Sequence, residues 1–344
     1  MQKKHIAIKR LSQRLSFLFI TLSLIACSSS QASPDNDTVP YSIAPKNFDK
    51  KNIKIKLLNS LALKSIKVNS LKVVELSGIA LDKDENILYA ISDEGILYHI
   101  KISFKNNKID KLKVTYATRL KSKNGIKLRG NNKDSEGLSL VNANNGVRGD
   151  TKLIISFEGN PRIARFTPKG FLLANIPIPK ILSKQKSYRS KNKSLESVVN
   201  HPKYGVLTAS EFPLKKDNMK AQSVYSVSKF STKKVWHFPA SKANNSAITD
   251  MELLPNGDLL ILERAFSNPF TPIVMNLRQL KIEQCDKKRN CKIENIGRFS
   301  SADGWRLDNF EGLAHIKDNQ YLVVSDDNKS PLQETLFVLF ELKK

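Results

Sequence analysis

From residue 75 onward the chain alternates short apolar runs with polar turns, and one composite pattern recurs five times. The copies are ELSGIALDKDENILYAISDEG from Glu75, DSEGLSLVNANNGVRGDTKLIISFEGN from Asp134, SLESVVNHPKYGVLTASEFP from Ser194, ITDMELLPNGDLLILERAF from Ile248 and DNFEGLAHIKDNQYLVVSDDN from Asp308. Each reads as a polar or acidic residue, an apolar strand, a turn, a second apolar strand and a closing acidic residue. Ser77, Glu136, Glu196, Asp250 and Glu311 align at successive intervals of 59, 60, 54 and 61 residues. Few windows carry a helical period. Strand repeats of this length, punctuated by Asn-Gly or Pro-Asn-Gly turns, predict an all-β fold of the β-propeller kind. Five copies predict five blades, or six if one copy has lost its pattern. Only about three strands follow Asp308, so a strand from Lys51–Val68 is expected to complete the last blade.

The propeller gives the recurring acids a common destination, because the start of each innermost strand and the end of the next reach one rim of the central channel. Clustered carboxylates repel one another unless cations, basic partners or shared protons offset them. Calcium suits such a set, since it accepts six to eight oxygens in flexible geometry. The candidate metal ligands are Glu136, Glu158, Glu196, Glu211, Glu311 and Asp326, with Asp93 and Asp327 beside them. A blander reading has these acids capping turns and pairing with Arg129, Arg162, Arg264 and Arg306. His315 lies four residues beyond Glu311 and could approach the same region.

The N-terminus reads differently. Lys3, Lys4, Lys9, Arg10 and Arg14 precede the apolar run LSFLFITLSLIAC, which is shorter than the roughly 20 residues a membrane span needs. Leu24-Ile25-Ala26-Cys27 resembles a bacterial lipobox, so residues 1–27 read as a lipoprotein signal peptide with Cys27 as the lipidation site. Residues 28–47 read as a flexible tether and 48–344 as a single propeller domain. Ser28 after the cysteine points to an outer-membrane lipoprotein facing the periplasm or cell surface. In that oxidising setting Cys285 and Cys291 are expected to form a disulfide.

The chain carries a net charge of +25, which loss of the signal peptide lowers by five. Nucleic acid is one partner for such a field, but an exported protein seldom meets it, and lysines scattered through the strands fit a general compositional bias better. The expected partners are the membrane, through Cys27, and an anionic small molecule, with no nucleic acid and a monomeric state. No Gly-x-Ser-x-Gly elbow, His-Glu-x-x-His, Walker loop or Gly-x-Gly-x-x-Gly occurs. Metal-bound water, with arginines to hold an anion, is the chemistry that remains.

The repeats, taken with IISFEGNPRIARF, resemble the family called "esterase-like activity of phytase" over roughly Glu75 to Lys344. The resemblance implies an envelope propeller with a phosphomonoester or ester hydrolase activity. On this reading Glu136, Glu196, Glu311 and Arg264 are catalytic, calcium is the cofactor, and Arg162, Arg264 and Arg306 bind the substrate anion. A non-catalytic ligand- or calcium-binding propeller is the alternative. The chain departs from the pattern at Ser77, where the other copies have an acid, and at Ser197 and Met251, which are read as standing where three copies have glycine.

Overall fold

Residues that alternate in polarity every second position form strands with two distinct faces, whereas strands apolar at every position must be covered on both. Both kinds occur here. The computed structural model describes residues 36–47, 53–227, 234–243, 245–266 and 271–343. The expected signal peptide, Cys27 and the start of the expected tether lie outside the described residues.

In chain order the strands are β1 (Thr38–Tyr41), β2 (Ile55–Leu63), β3 (Lys67–Val68), β4 (Leu71–Lys72), β5 (Leu76–Asp82), β6 (Ile87–Ser92), β7 (Ile96–Lys105), β8 (Lys108–Arg119), β9 (Ser135–Val141), β10 (Lys152–Phe157), β11 (Arg162–Phe166) and β12 (Leu172–Ile176). There follow β13 (Leu195–His201), β14 (Gly205–Ser210), β15 (Ala221–Ser226), β16 (Val235–Pro239), β17 (Ser246–Leu253), β18 (Leu259–Ala265), β19 (Val274–Cys285), β20 (Cys291–Ser300), β21 (Asn309–Lys317), β22 (Gln320–Asp326) and β23 (Leu336–Leu342). Among the described residues there is no α-helix. Four sheets of four antiparallel strands, β5–β8, β9–β12, β13–β16 and β17–β20, form blades 1 to 4. Blade 5 has the order β21-β22-β23-β2-β1.

The chain is thus a five-bladed β-propeller whose last blade is closed from the N-terminus. β2 pairs with β23 from Ile55↔Leu342 to Ala62↔Leu336, as the region Lys51–Val68 was expected to do. Unlike the expected tether, residues 38–41 add an outer fifth strand. Asp37 accepts a hydrogen bond from Val114 N at 2.8 Å, and Ile43 is buried, so this stretch is anchored rather than free.

The core is divided among the five seams between blades. Leu76 and Tyr98 pack against Leu322 and Phe337 at the seam of blades 1 and 5. Tyr89 and Ile91 meet Leu153 and Phe157 between blades 1 and 2, while Ile154 meets Val198 between blades 2 and 3. Consecutive residues of β10 therefore fill opposite seams, which is why second strands read as unbroken apolar runs. Leu207 with Ile261, and Leu262 with Phe310, complete the circle. Each such side chain contributes roughly 1.5–3 kcal/mol by burial, and the circle of seams holds five inner strands around one axis.

At the outer edge the hairpin β19–β20 is bridged by Cys285 and Cys291, which are Cα partners and form the expected disulfide. Arg289 O accepts from His237 N at 2.8 Å, fastening that hairpin tip to blade 3.

Candidate functional site

The site begins with one extra residue in each inner strand. Pairing between the first two strands slips at Ser77, at Glu136 and Gly137, at Glu196, at Thr249 and at Glu311, so every blade has a β-bulge at the same level. A bulge re-aims a side chain that regular pleating would send into a seam. The neighbouring strands also come very close here. A Cβ on Gly78 would lie 2.5 Å from Glu136 O, and one on Gly137 would lie 2.7 Å from Glu196 O. The glycines of this pattern leave room for the adjacent blade's backbone.

This register corrects the fourth repeat. Thr249, not Asp250, is the bulged residue, and Asp250 takes the glycine position together with Ser197 of blade 3; Met251 is a buried core residue. Asp250 is fully buried and accepts hydrogen bonds at 2.8 Å from Met251 N and from Leu313 N of β21. It fastens two blades and does not face the other acids. Thr249 donates to Phe310 O at 3.1 Å.

One residue past the pairing position of each bulge, at or beside the end of each second strand, stand Asp93, Glu158, Glu211, Arg264 and Asp326. Three groups of carboxylates have oxygens within 4.8 Å of one another: Asp93, Glu136 and Glu311; Asp134, Glu136 and Glu158; and Glu158, Glu196 and Glu211. They share Glu136 and Glu158, so the acids form a continuous arc through blades 5, 1, 2 and 3. Arg264 fills the blade 4 position. Its Nη1 lies 3.0 Å from Glu311 Oε1 and its Nη2 3.7 Å from Glu211 Oε1, so the guanidinium joins the two ends of the arc.

Neighbouring groups hold the arc in place. Asn309 Nδ2 donates to Glu311 Oε1 at 2.7 Å and to Asp326 Oδ2 at 3.2 Å. Ser194 N donates to Glu158 Oε1 at 3.1 Å, Ser77 donates to Asp93, and Lys193 pairs with Glu211 at 3.1 Å. Burial and the surrounding carboxylates push Asp93, Glu136 and Glu196 well above the ordinary carboxylate range. Burial also raises Glu311, against the pull of Arg264, and Glu211, against Lys193 and Arg264. Glu158 is raised to about 7 and Asp326 to about 6, in both cases chiefly by burial. The arc holds more carboxyl groups than Arg264 and Lys193 can pair.

The expected ligands Glu136, Glu158, Glu196, Glu211, Glu311 and Asp326 therefore lie together, and Arg264 lies with them. The other arginines do not join them. Arg162 stacks 3.6 Å from the Phe157 ring centroid and donates to the carbonyls of Asn160 and Asn132, at the rim beside Asp134. Arg306 is exposed and stacks on Tyr41, 4.5 Å from its ring centroid, on the outer part of blade 5. Among the described residues Arg264 is the one of the four arginines that pairs with the arc. Asp327 accepts from Glu75 N at 3.0 Å and Lys329 N at 3.1 Å, an architectural role at the seam of blades 5 and 1. His315 sits towards the opposite end of β21, with Nδ1 3.3 Å from Lys83 Nζ and Nε2 2.9 Å from Asp318 O. At a rise of about 3.3 Å per residue, four residues carry it roughly 13 Å from the bulge.

Asp134, Asn309 and Lys193 were not anticipated. Asp134 and Asn309 both stand two residues before a bulged glutamate, a spacing visible in DSEG and DNFEG. Lys193 stands three residues before Glu196 as Lys133 does before Glu136, but Lys133 pairs with Glu94, outside the arc.

The family model "Phytase-like: Esterase-like activity of phytase" matches residues 72–329. Among solved structures, one titled "Structure of Dos1 propeller" is similar over 83% of this chain and 74% of its own, at 10% identity and a TM-score of 0.36. No curated protein matches in sequence.

Proposed function

Because the chain belongs to the phytase-like family, whose model spans three quarters of it, we propose that the acidic channel mouth is a calcium-dependent phosphomonoester hydrolase site. The observation that carries this reading is the arc itself. Eight carboxylates, Asp93, Asp134, Glu136, Glu158, Glu196, Glu211, Glu311 and Asp326, converge where burial disfavours their ionised forms. A divalent cation offsets that repulsion, and the donors suit calcium: all are oxygens, from several strands, numerous enough for six to eight contacts. Glu136, Glu158, Glu196, Glu211, Glu311 and Asp326 would hold it. When bound there, calcium supplies Lewis-acid polarisation of a phosphoryl oxygen and activation of water.

The chain's own groups do the rest. Arg264 is oriented by Glu311 and Glu211 and clamps the phosphoryl anion with the guanidinium donors those pairs leave over. Asn309 fixes Glu311 against Asp326, so the carboxylates keep their spacing as substrate enters. At the N-terminus we propose lipidation of Cys27 and an envelope location, supported by the lipobox-like LIAC and the basic, apolar segment ahead of it.

The test is phosphate release by the full chain from phytate and from a generic phosphomonoester, with calcium and with a chelator. Release that the chelator abolishes, and that Glu311→Gln removes from folded protein, is expected. A folded wild-type protein that releases no phosphate with calcium would refute the hydrolase reading in favour of a calcium-binding propeller.

A further inference from the structure

We infer that the acidic mouth opens into an apolar subsite between blades 4 and 5, which favours phosphomonoesters of apolar alcohols over those of polyols. The inference rests on the proposed hydrolase reading and extends it to the organic half of the substrate. A cavity of about 570 Å³ is walled on one side by Arg264 and Asn309, the two residues that hold Glu311. Phe266, Ile273, Leu307 and Leu332 supply its apolar lining, among polar residues such as Ser301 and Gln333. Its size falls within the range for small-molecule pockets, which combine an apolar lining with a few placed polar groups. A phosphate clamped by Arg264 would have its ester oxygen beside this lining.

Two of these side chains are held where water would ordinarily disfavour them. Leu332 is 92% exposed and Phe266 42% exposed, and both face the same cavity. A single exposed apolar residue is unremarkable, but apolar groups gathered at a pocket mark a contact site. Neither position is a loose loop. Leu332 lies in a turn fastened by Asp308, which accepts from Gln333 Nε2 at 2.7 Å and from Glu334 N at 2.8 Å. Phe266 follows β18 directly, and its carbonyl accepts from Asn245 Nδ2 at 2.7 Å. Phe266 is two residues beyond Arg264, the spacing that puts strand side chains on one face. The anion clamp and the apolar wall are thus set side by side by the backbone.

The test uses n-alkylphosphonates from methyl to hexyl, which present a phosphate-like head that cannot be hydrolysed. Their binding to the full chain in lipid nanodiscs is measured by calorimetry in calcium, with empty nanodiscs as the blank. The dissociation constant is expected to fall about three- to fourfold for each added methylene until the cavity is filled. The double variant Phe266→Ser, Leu332→Ser is expected to flatten that dependence; both side chains are exposed enough to change without opening a seam. Phosphonates that bind with no dependence on chain length, or a dependence the double variant leaves intact, would overturn the apolar subsite alone. Failure of every phosphonate to bind, with or without calcium, would overturn the hydrolase reading and this inference with it.

Discussion

Glu158 offers a quantitative view of how the arc is held together. Burial raises its carboxyl from 4.5 to about 7, partly opposed by hydrogen bonds with Glu196 and from Ser194 N. A carboxyl whose folded pKa is raised binds its proton more tightly in the folded state than in the unfolded chain. Its contribution is complete below the unfolded value near 4.5 and is lost as the pH rises through about 7. At 1.36 kcal/mol per pH unit, Glu158 alone destabilises the metal-free protein by about 3 kcal/mol at pH 8 relative to pH 4. Glu158→Gln keeps an oxygen to accept from Ser194 and has no charge to bury. In a chelator the variant should therefore melt several degrees above wild type at pH 8 and close to it at pH 5. Calcium should reverse the order at pH 8, because a bound cation stabilises the ionised wild-type carboxylate and gains less from the amide. Thermal melts followed by circular dichroism at both pH values, with chelator and with calcium, read all four conditions. A variant less stable than wild type at pH 8 in chelator would refute the claim that repulsion and desolvation dominate at this residue.

Other residues test separate parts of the account. Gly137→Ala would place a Cβ 2.7 Å from Glu196 O, Ser197 Cα and Val198 N, all of them backbone; denaturant unfolding should show a loss of about 1–3 kcal/mol, and an unchanged midpoint would contradict the close-approach argument. Asp250→Gly restores the residue of blades 1, 2 and 5 but leaves Leu313 N without its acceptor, so it should destabilise by about 1–3 kcal/mol in the same assay. Arg264→Met should lower kcat/KM for a phosphomonoester by about 100-fold, of the order found for removing one transition-state donor, while calcium binding measured by calorimetry persists. Equal loss of both would make Arg264 a structural partner of Glu311 and Glu211 instead of an anion clamp. Cys27→Ser should abolish incorporation of labelled fatty acid and release the protein from membranes; continued membrane retention would contradict lipid anchoring.

The blades were legible because their inner strands repeat both a polarity pattern and a period, and because the shortage of strands after Asp308 requires one from elsewhere. The carboxylates were legible for the same reason, since equivalent positions of a closed ring converge whatever the details of each blade. Register was harder. In the fourth repeat Thr249 and Asp250 are adjacent, and aligning on the acid shifts the copy by one residue, which sends the side chain to the opposite side of the strand. Only the pairing of Ile248 with Glu263 and of Asp250 with Leu262 shows where the extra residue sits. The arginines failed for a different reason. Charge alone does not tell whether a guanidinium meets a carboxylate, a carbonyl or a ring, and Arg162 and Arg306 are held by carbonyls and aromatic faces instead of by ion pairs with the arc. The stretch from Thr38 to Tyr41 was read as tether because its surroundings are rich in serine, proline and asparagine, yet an open edge of β2 was available for pairing.

The most direct test of the central claim is an anomalous difference map from a crystal of the protein grown with calcium. The account predicts density enclosed by carboxylate oxygens of the arc, among them Glu136, Glu158 and Glu196, with Arg264 still bridging Glu211 and Glu311. A map with no peak in the channel mouth at saturating calcium, and carboxylates paired only with one another and with Arg264, would contradict it.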